Sequence, residues 1–403
     1  MSTGGLSRER LQRLHEVMAG YVERGDVPGI VTLISRRGEV HVDAIGQQAV
    51  GGAATVESGP MRRDTIFRIA SMTKPITAVA TMILVEECKL RLDEPVDRLL
   101  PELAHRQVLK QLDGPLDETV PAKRPITVRD LLTFLMGFGF TMELLAGDSP
   151  IRQAMHEQQL AIGPTPPPMP PDEYMRRLAT MPLLYQPGER WLYHTGSEVL
   201  GVLIARASGQ MFETFLRERI FEPLGMKDTG FSVPAATLDR LAACYQVHPT
   251  TQALEVFDDP RASKWSQPPA FPSGGGGLVS TVDDYLVFGH MLLHMGKHRN
   301  ARILSRPAVE LMTTDQLTLD QKVGSFLPDS RGWGLGVSMV NKRDDLAAVP
   351  GRFGWDGGYG TSWSSDPKEA MVAILMTQRL WDSPSPPGVY LDFWTLAYQA
   401  IDD

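Results

Sequence analysis

Two cysteines in 403 residues cannot build a disulfide framework, and Cys88 and Cys244 read as buried apolar thiols. A basic excess is also missing: 40 lysines and arginines face 48 aspartates and glutamates, for a net charge of −8. A phosphate-tracking protein carries the opposite sign, which argues against nucleic acid as a partner. No apolar stretch follows Met1, since Arg8, Glu9, Arg10 and Arg13 crowd the segment up to Glu16, so no secretory signal is visible. The longest run rich in apolar residues, Ile76 to Val85, is far short of the roughly 20 residues a spanning helix needs. The expectation is a soluble, cytoplasmic protein with no membrane partner. What is present is ordinary for a globular chain: 42% hydrophobic and 22% charged residues exclude disorder and a collagen-like fibre. The length exceeds the usual domain of about 100–200 residues, so one large or two intertwined folding units are expected. There is no internal repeat.

Leu11, Leu14, Val17, Met18, Tyr21 and Val22 recur at helical spacing between Ser7, an N-cap, and Gly25, a stop, predicting an amphipathic helix. The β-branched run Gly29 to Ser35, the turn Arg36-Arg37-Gly38 and the alternating Glu39 to Ala44 predict a hairpin. A third short strand is expected through Thr65 to Ile69. From Ser71 to Glu87 the pattern is helical and apolar on most sides, so this helix should lie inside the protein. Leu90 to Pro272 reads as mostly helical, with segments at Val128 to Met136, Glu198 to Ala207 and Met211 to Phe221. Loop-rich intervals break it around Leu112 to Pro125 and at Gly163 to Pro171, where six of nine residues are proline. That stiff, extended stretch is either a surface connector or a wall over a cleft. After Gly274-Gly275-Gly276-Gly277, Ser280 or Thr281 caps a helix from Val282, with Asp284 at its positive end. Strands are expected at Gly332 to Val340, Gly360 to Ser365 and Met371 to Met376, then a helix at Tyr390 to Ile401. Strands at both ends with helices between predict one sheet built from both termini around a helical insertion.

Three segments carry chemistry. Ser71-Met72-Thr73-Lys74 stands at the predicted start of the buried helix. A serine hydroxyl is a weak nucleophile unless a neighbour takes its proton. A lysine three residues on shares its helical face, and burial would lower its pKa until it can accept that proton. The helix N-terminus adds a backbone N–H and a positive dipole end for a reacting carbonyl. A second match, Ser365-Asp366-Pro367-Lys368, lies among turn formers with proline inside it, so no helix aligns its ends, and it reads as a decoy. Next, Trp191-Leu192-Tyr193-His194-Thr195-Gly196 precedes a helix. Tyr193 near Ser71 and Lys74 would share their proton, as phenol or phenolate, and pass it to a leaving group. On its own, a tyrosine beside a tryptophan reads as packing. His194 either tunes the hydrogen bonding of Tyr193 or points away. Last comes Phe353-Gly354-Trp355-Asp356-Gly357-Gly358-Tyr359-Gly360-Thr361. Glycines this dense beside a strand mark a close backbone approach or a bulge. An N–H near Gly358 would be an oxyanion donor opposite that of Ser71, each typically worth about 3–4 kcal/mol in the transition state.

Ser-x-x-Lys, a tyrosine triplet about 120 positions on and an aromatic-x-Gly triplet near the C-terminus resemble the serine β-lactamase and penicillin-binding-protein-like hydrolases. The resemblance continues from Phe67-Arg68-Ile69-Ala70 into Leu90-Arg91-Leu92-Asp93-Glu94-Pro95-Val96, as in the class C-like branch. It extends through Ile126 to Thr133, Pro223-Leu224-Gly225-Met226-Lys227-Asp228-Thr229 and Gly274 to Asp284. It implies an α/β fold: an antiparallel sheet built from both termini and flanked by helices, with a mostly helical inserted subdomain. The α/β subdomain would hold residues 1–75 and 273–403, the helical one 76–272, with the active site in the cleft between. Residue by residue it implies Ser71 as acylated nucleophile, Lys74 as its proton partner and Tyr193 as a relay, with Trp355, Asp356, Gly357 and Gly358 as a third wall. No cofactor or metal is implied.

The departures point to the substrate. Thr195 stands where β-lactamases have the asparagine of a Tyr-x-Asn triplet, and loses an amide that grips a substrate amide. Trp355 stands where they have a lysine, and offers one N–H and a broad apolar face instead of charge. Asp356, if it faced the cleft, would repel a substrate carboxylate. These changes favour small apolar esters and are similar to the family VIII carboxylesterases and their acyltransferase relatives. Leu131 to Gly137 also lacks a His-Thr-Ser often seen there, implying an altered pocket floor. Acyl transfer, or weak β-lactamase or D-amino-peptidase activity, are the alternatives on the same fold. A catalytically silent ligand-binding scaffold is the alternative of another class, and intact Ser71, Lys74 and Tyr193 argue against it. A small ester or acyl substrate is the only partner expected. No G-x-S-x-G elbow, P-loop or dinucleotide fingerprint stands out. His290, His294 and His298 have a spacing that permits a metal, but without a ligand signature they read as a solvated helical face. The 19 methionines read as core filler, with Met72 facing packing.

Overall fold

Ser7 caps the first helix, α1 (Arg8–Glu23), its side chain accepting from the Arg10 N–H, which satisfies a donor the helix itself cannot. The structure, a computed structural model, describes residues 4–51, 59–145, 147–163, 165–383 and 385–403. Strands β1 (Gly29–Arg36) and β2 (Glu39–Gly46) form the expected hairpin. Its turn residues, Arg37 and Gly38, both have positive φ, 50° and 85°, the conformation that matches the twist of two-residue hairpins. Helices α2 (Thr73–Glu86), α3 (Thr195–Ser208) and α4 (Val282–Leu293) follow. The chain then returns to the sheet through β3 (Arg331–Trp333), β4 (Ser338–Val340), β5 (Phe353–Gly357), β6 (Thr361–Asp366) and β7 (Met371–Thr377), and helix α5 (Gly388–Gln399) comes after them. The seven strands run in the order β3-β4-β5-β6-β7-β1-β2 with antiparallel pairing throughout. The register Ile30↔Thr377 to Arg36↔Met371 joins the N-terminal hairpin to the C-terminal strands. This is the α/β fold with a sheet built from both termini.

Every residue of β1 and β7 is buried, because helices cover both faces. Side chains alternate accordingly. Ile30, Ile34, Ala373 and Leu375 pack with Leu14 and Met18 of α1 and Phe393 and Ala397 of α5. Val31, Leu33, Val372 and Ile374 share the larger core with α2 and α4. Trp363 of β6 pins that second face: it is fully buried, with ring centroids 5.4 Å from Tyr285 and 5.8 Å from Phe288 of α4. Trp363→Ala should therefore lower unfolding stability by about 3–5 kcal/mol in chemical denaturation, the usual cost of emptying an aromatic core position.

Several expectations need correction. The run Gly332 to Val340 is two strands, β3 and β4, folded back where Gly334 N–H donates to Val337 O at 2.8 Å. Gly336 in that turn has φ +81°, and a Cβ there would stand 2.2 Å from the Ala78 Cβ of α2. The strand expected at Thr65 to Ile69 shortens to Phe67–Arg68 and pairs with Val279–Ser280 rather than with the sheet. The helix expected at Val128 to Met136 ends at Leu132, where Phe134 and Gly137 take positive φ. The helical stretch also contains two unforeseen hairpins, Gln107–Leu109 with Thr119–Pro121 and Cys244–Val247 with Leu254–Asp258. Cys244 is buried, but Cys88 is exposed just past the end of α2. Among the described residues, no single helix is long and apolar enough to cross a membrane, and no cluster of three or more His, Cys, Asp or Glu could hold a metal. His290 is half-buried, while His294 is exposed: the His290 Nε2 lies 2.9 Å from Ser35 Oγ, and burial, then His294 and His298, lower its pKa to about 4.

Candidate active site

Ser71 lies in a 3₁₀ turn, Ala70–Met72, directly before α2 rather than in its first turn. Ala70 has φ +44°, a left-handed conformation costly for a residue with a Cβ and kept only where surroundings enforce it. Three elements do so. Ile69 N–H donates to Leu278 O at 3.0 Å, Thr361 Oγ1 of β6 donates to Ile69 O at 3.2 Å, and Tyr285 OH of α4 donates to Met72 O at 2.7 Å. Met72 itself is fully buried in the core, as expected.

Lys74, one turn along, is 1% exposed. Its Nζ sits 2.9 Å from Ser71 Oγ, 2.6 Å from Gly275 O and 3.1 Å from His194 Nδ1. Burial lowers its pKa to about 7, with the Glu198 charge pulling the other way. Near neutral pH a large fraction of this amine is uncharged and can take a proton. Its Nζ also stands 4.4 Å from the centre of the Tyr193 ring.

Tyr193 and His194 stand at the entrance to α3, where His194 has φ +84°. Burial pushes the Tyr193 phenol well above its ordinary pKa, against hydrogen bonds with Ser71 and Trp355 that pull it down. It is therefore a neutral phenol at physiological pH, not the phenolate the sequence left open. Trp355 Nε1–H donates to its oxygen at 2.7 Å. The indole N–H is thus committed to Tyr193, and the ring contributes to an aromatic cluster with Phe134, Trp191, Trp333 and Phe326.

Behind His194, its Nε2 lies 2.9 Å from Glu198 Oε1. Burial raises the Glu198 carboxyl, but His194, Ser273 and Lys74 together hold it below its ordinary value. Ser273 Oγ donates to Oε1 at 2.6 Å and Gly275 N–H to Oε2 at 3.2 Å. The four-glycine run explains itself here: a Cβ on Gly275 would meet both Glu198 and His194 at 2.9 Å. His194 and Glu198 also line a cavity of about 210 Å³ together with Pro166, Pro167, Pro168 and Tyr174. The part of the proline-rich stretch from Thr165 to Pro168 therefore lines a cavity beside the site, and Pro164 lies outside the described residues.

The third wall divides. Gly357 presses on the nucleophile turn, since a Cβ there would fall 2.3 Å from Ile69 O and from Thr361 Oγ1. Gly358 is exposed at the end of β5, and its N–H has no partner among the described residues. Gly357→Ala should push β5 off this turn and slow acylation of Ser71 by about a hundredfold, the scale of a 1 Å misplacement, measured as the rate of covalent labelling. Asp356 does not face the cleft. Residues alternate along a strand, so it points to the other side of the sheet, to Ser362 Oγ at 2.6 Å and Tyr390 OH at 3.2 Å. Thr195 is likewise not a wall residue: it is 1% exposed at the start of α3, and its Oγ1 has no partner among the described residues. The backbone twist at His194 turns the imidazole toward Lys74 and leaves Thr195 beneath. Sequence reading missed Glu198, Ser273 and Gly275. Only His194 and Glu198 left a trace, an i, i+4 pair at a helix start. The decoy pair stays apart, with Ser365 Oγ donating to Gly289 O at 3.1 Å and Lys368 exposed.

A buried amine within reach of a serine on a strained turn, beside a neutral tyrosine, suits covalent acyl chemistry. The comparisons agree with that chemistry. The sequence model of the β-lactamase family matches residues 14–388. Protein Rv1367c of Mycobacterium tuberculosis is 39% identical over 375 residues, covering 89% of this chain and 88% of that protein. Esterase EstB of Burkholderia gladioli is 31% identical over 393 residues, covering 93% and 92%. Among solved structures, EstCE1, described as a hydrolase with promiscuous acyltransferase activity, superposes with a TM-score of 0.79 at 25% identity, covering 96% of this chain and 98% of that one. With the family matched across nearly the whole chain and a relative 31% identical over 93% of it, the protein belongs to the β-lactamase family.

Proposed function

We propose that the protein is a carboxylesterase that forms an acyl-enzyme on Ser71 from small apolar esters. The observation that carries this reading is the 2.9 Å contact of Lys74 Nζ with Ser71 Oγ at a site dry enough to bring the amine to a pKa of about 7. Lys74 accepts the Ser71 proton as Oγ attacks the ester carbonyl. The tetrahedral oxyanion is held by the N–H groups of Ser71 and Gly358. The C–O bond to the alcohol breaks, and the departing oxygen takes a proton from the Tyr193 phenol, which Lys74 replenishes. Water then adds to the acyl carbonyl, losing its proton to the same Tyr193–Lys74 pair, and as the acyl C–Oγ bond breaks that proton returns to Ser71 Oγ, releasing the acid and the free serine. Because these groups interact closely, their titrations belong to the set.

The apolar preference is supported by the rings around Tyr193 and Trp355 and by the indole in a position where a lysine would attract a carboxylate. A second reading, transfer of the acyl group to an alcohol instead of water, is favoured by the description of EstCE1. A fluorophosphonate is expected to add one adduct mass to the intact protein and none to Ser71→Ala. Absence of the adduct, or its persistence in Ser71→Ala, contradicts the assignment. Short p-nitrophenyl esters should be hydrolysed faster than a chromogenic cephalosporin, and the reverse order would overturn the reading of Trp355.

A further inference from the structure

Lys74 Nζ has three polar neighbours: Ser71 Oγ, His194 Nδ1 and Gly275 O. An uncharged amine owns two N–H bonds and one lone pair, so its use as a base depends on which neighbours take the hydrogens. Gly275 O can only accept. On the far side of the imidazole, Glu198 is held as a carboxylate and can only accept as well. His194 Nε2 must therefore carry the ring proton, and in the neutral ring Nδ1 then carries a lone pair. With Nδ1 and Gly275 O each taking an N–H, one direction remains for the amine lone pair, the Ser71 hydroxyl. The opposite tautomer would donate Nδ1–H to Lys74 and occupy the lone pair that Ser71 needs.

We infer that His194, oriented by Glu198, is a positioning residue that fixes the imidazole tautomer and so aims the Lys74 lone pair at Ser71. The left-handed backbone at His194, φ +84°, is what brings the ring into line between Glu198 and Lys74, and such strain persists where surroundings impose it. Ser273 Oγ and Gly275 N–H occupy the remaining acceptor capacity of Glu198, locking the carboxylate in place. The ionisable groups facing Lys74 are Glu198 from α3, His194 and Tyr193 ahead of it, and Tyr174 beside Glu198, with Asp356 acting on Tyr193 from β5.

The kinetic part of the test rests on the proposed function, and the spectroscopic part does not. Imidazole nitrogen-15 shifts, with the His194 signals identified by their loss in His194→Asn, are expected to show protonated Nε2 and unprotonated Nδ1 between about pH 6 and 9. The reverse tautomer, or an imidazolium in that range, overturns the inference. Fluorophosphonate labelling of Ser71 should slow about 10²-fold in His194→Leu, the lower range for a displaced general base. His194→Asn, whose amide oxygen can stand near Nδ1, should recover most of the rate. In Glu198→Gln the acid limb of the labelling rate should move to lower pH, because a negative charge that favours the ammonium has gone. A purely structural role would slow labelling without moving that limb. Wild-type rates in a folded His194→Leu overturn the inference. If the wild type itself is not labelled, the proposed function falls, and the nitrogen shifts still decide the tautomer.

Discussion

Lys74→Met is expected to lose at least about 10⁴-fold in ester hydrolysis while unfolding at a higher denaturant concentration than the wild type. Both effects come from the same burial. The folded-state pKa of Lys74 lies near 7 against an ordinary 10.5, so between those values the unfolded chain binds more protons and stability rises with pH. The penalty is fully present below pH 7 and gone above about 10.5, and its size is roughly 5 kcal/mol. Methionine removes it but also forfeits the contacts with Ser71, Gly275 and His194, together about 3 kcal/mol. A net gain of about 2 kcal/mol at pH 6 remains, shrinking as pH rises. Parallel denaturation curves at pH 6 and 9 measure it. A stability deficit at both pH values would mean that the amine is not strained by burial.

Asp258→Ala should destabilise the fold by about 3–5 kcal/mol, the cost of leaving a buried charge without its partner. Arg68, 3% exposed, is in ion-pair contact with Asp258, donates to Ala242 O at 2.6 Å and Ser263 Oγ at 3.2 Å, and stacks 5.3 Å from the Trp265 ring centre. It lies three residues before Ser71, so a loosened Arg68 also frees the strained Ala70 turn. Asp258→Ala is therefore expected to lose labelling at Ser71 before it unfolds globally, which a denaturant series followed by mass spectrometry resolves. Arg68→Met with Asp258→Leu, which removes both charges, should regain much of the loss.

The large features were legible because their signals are local. Ser7, the Arg37-Gly38 turn and Thr281, which accepts from the Asp284 N–H as expected, each declare an element end within four residues. The spacing of Ser71 and Lys74 and the order of the three motifs carried the fold. The site's second rank was not legible, because Glu198, Ser273 and Gly275 meet only after α3 and the glycine run pack together. Asp356 shows the complementary error. A charge between two cleft residues was read as a cleft charge, whereas strand alternation sends it to Tyr390 of α5. Thr195 was read by its place in a triplet, but the positive φ of His194 rotates the following side chain into the interior.

The most direct measurement of the central claim is the pH dependence of the rate at which a fluorophosphonate acylates Ser71, followed by intact mass. The account predicts a rate that climbs through an apparent pKa near 7 and a Lys74→Met protein in which that limb is gone. A limb at the ordinary lysine value, or an unchanged profile in Lys74→Met, would contradict it.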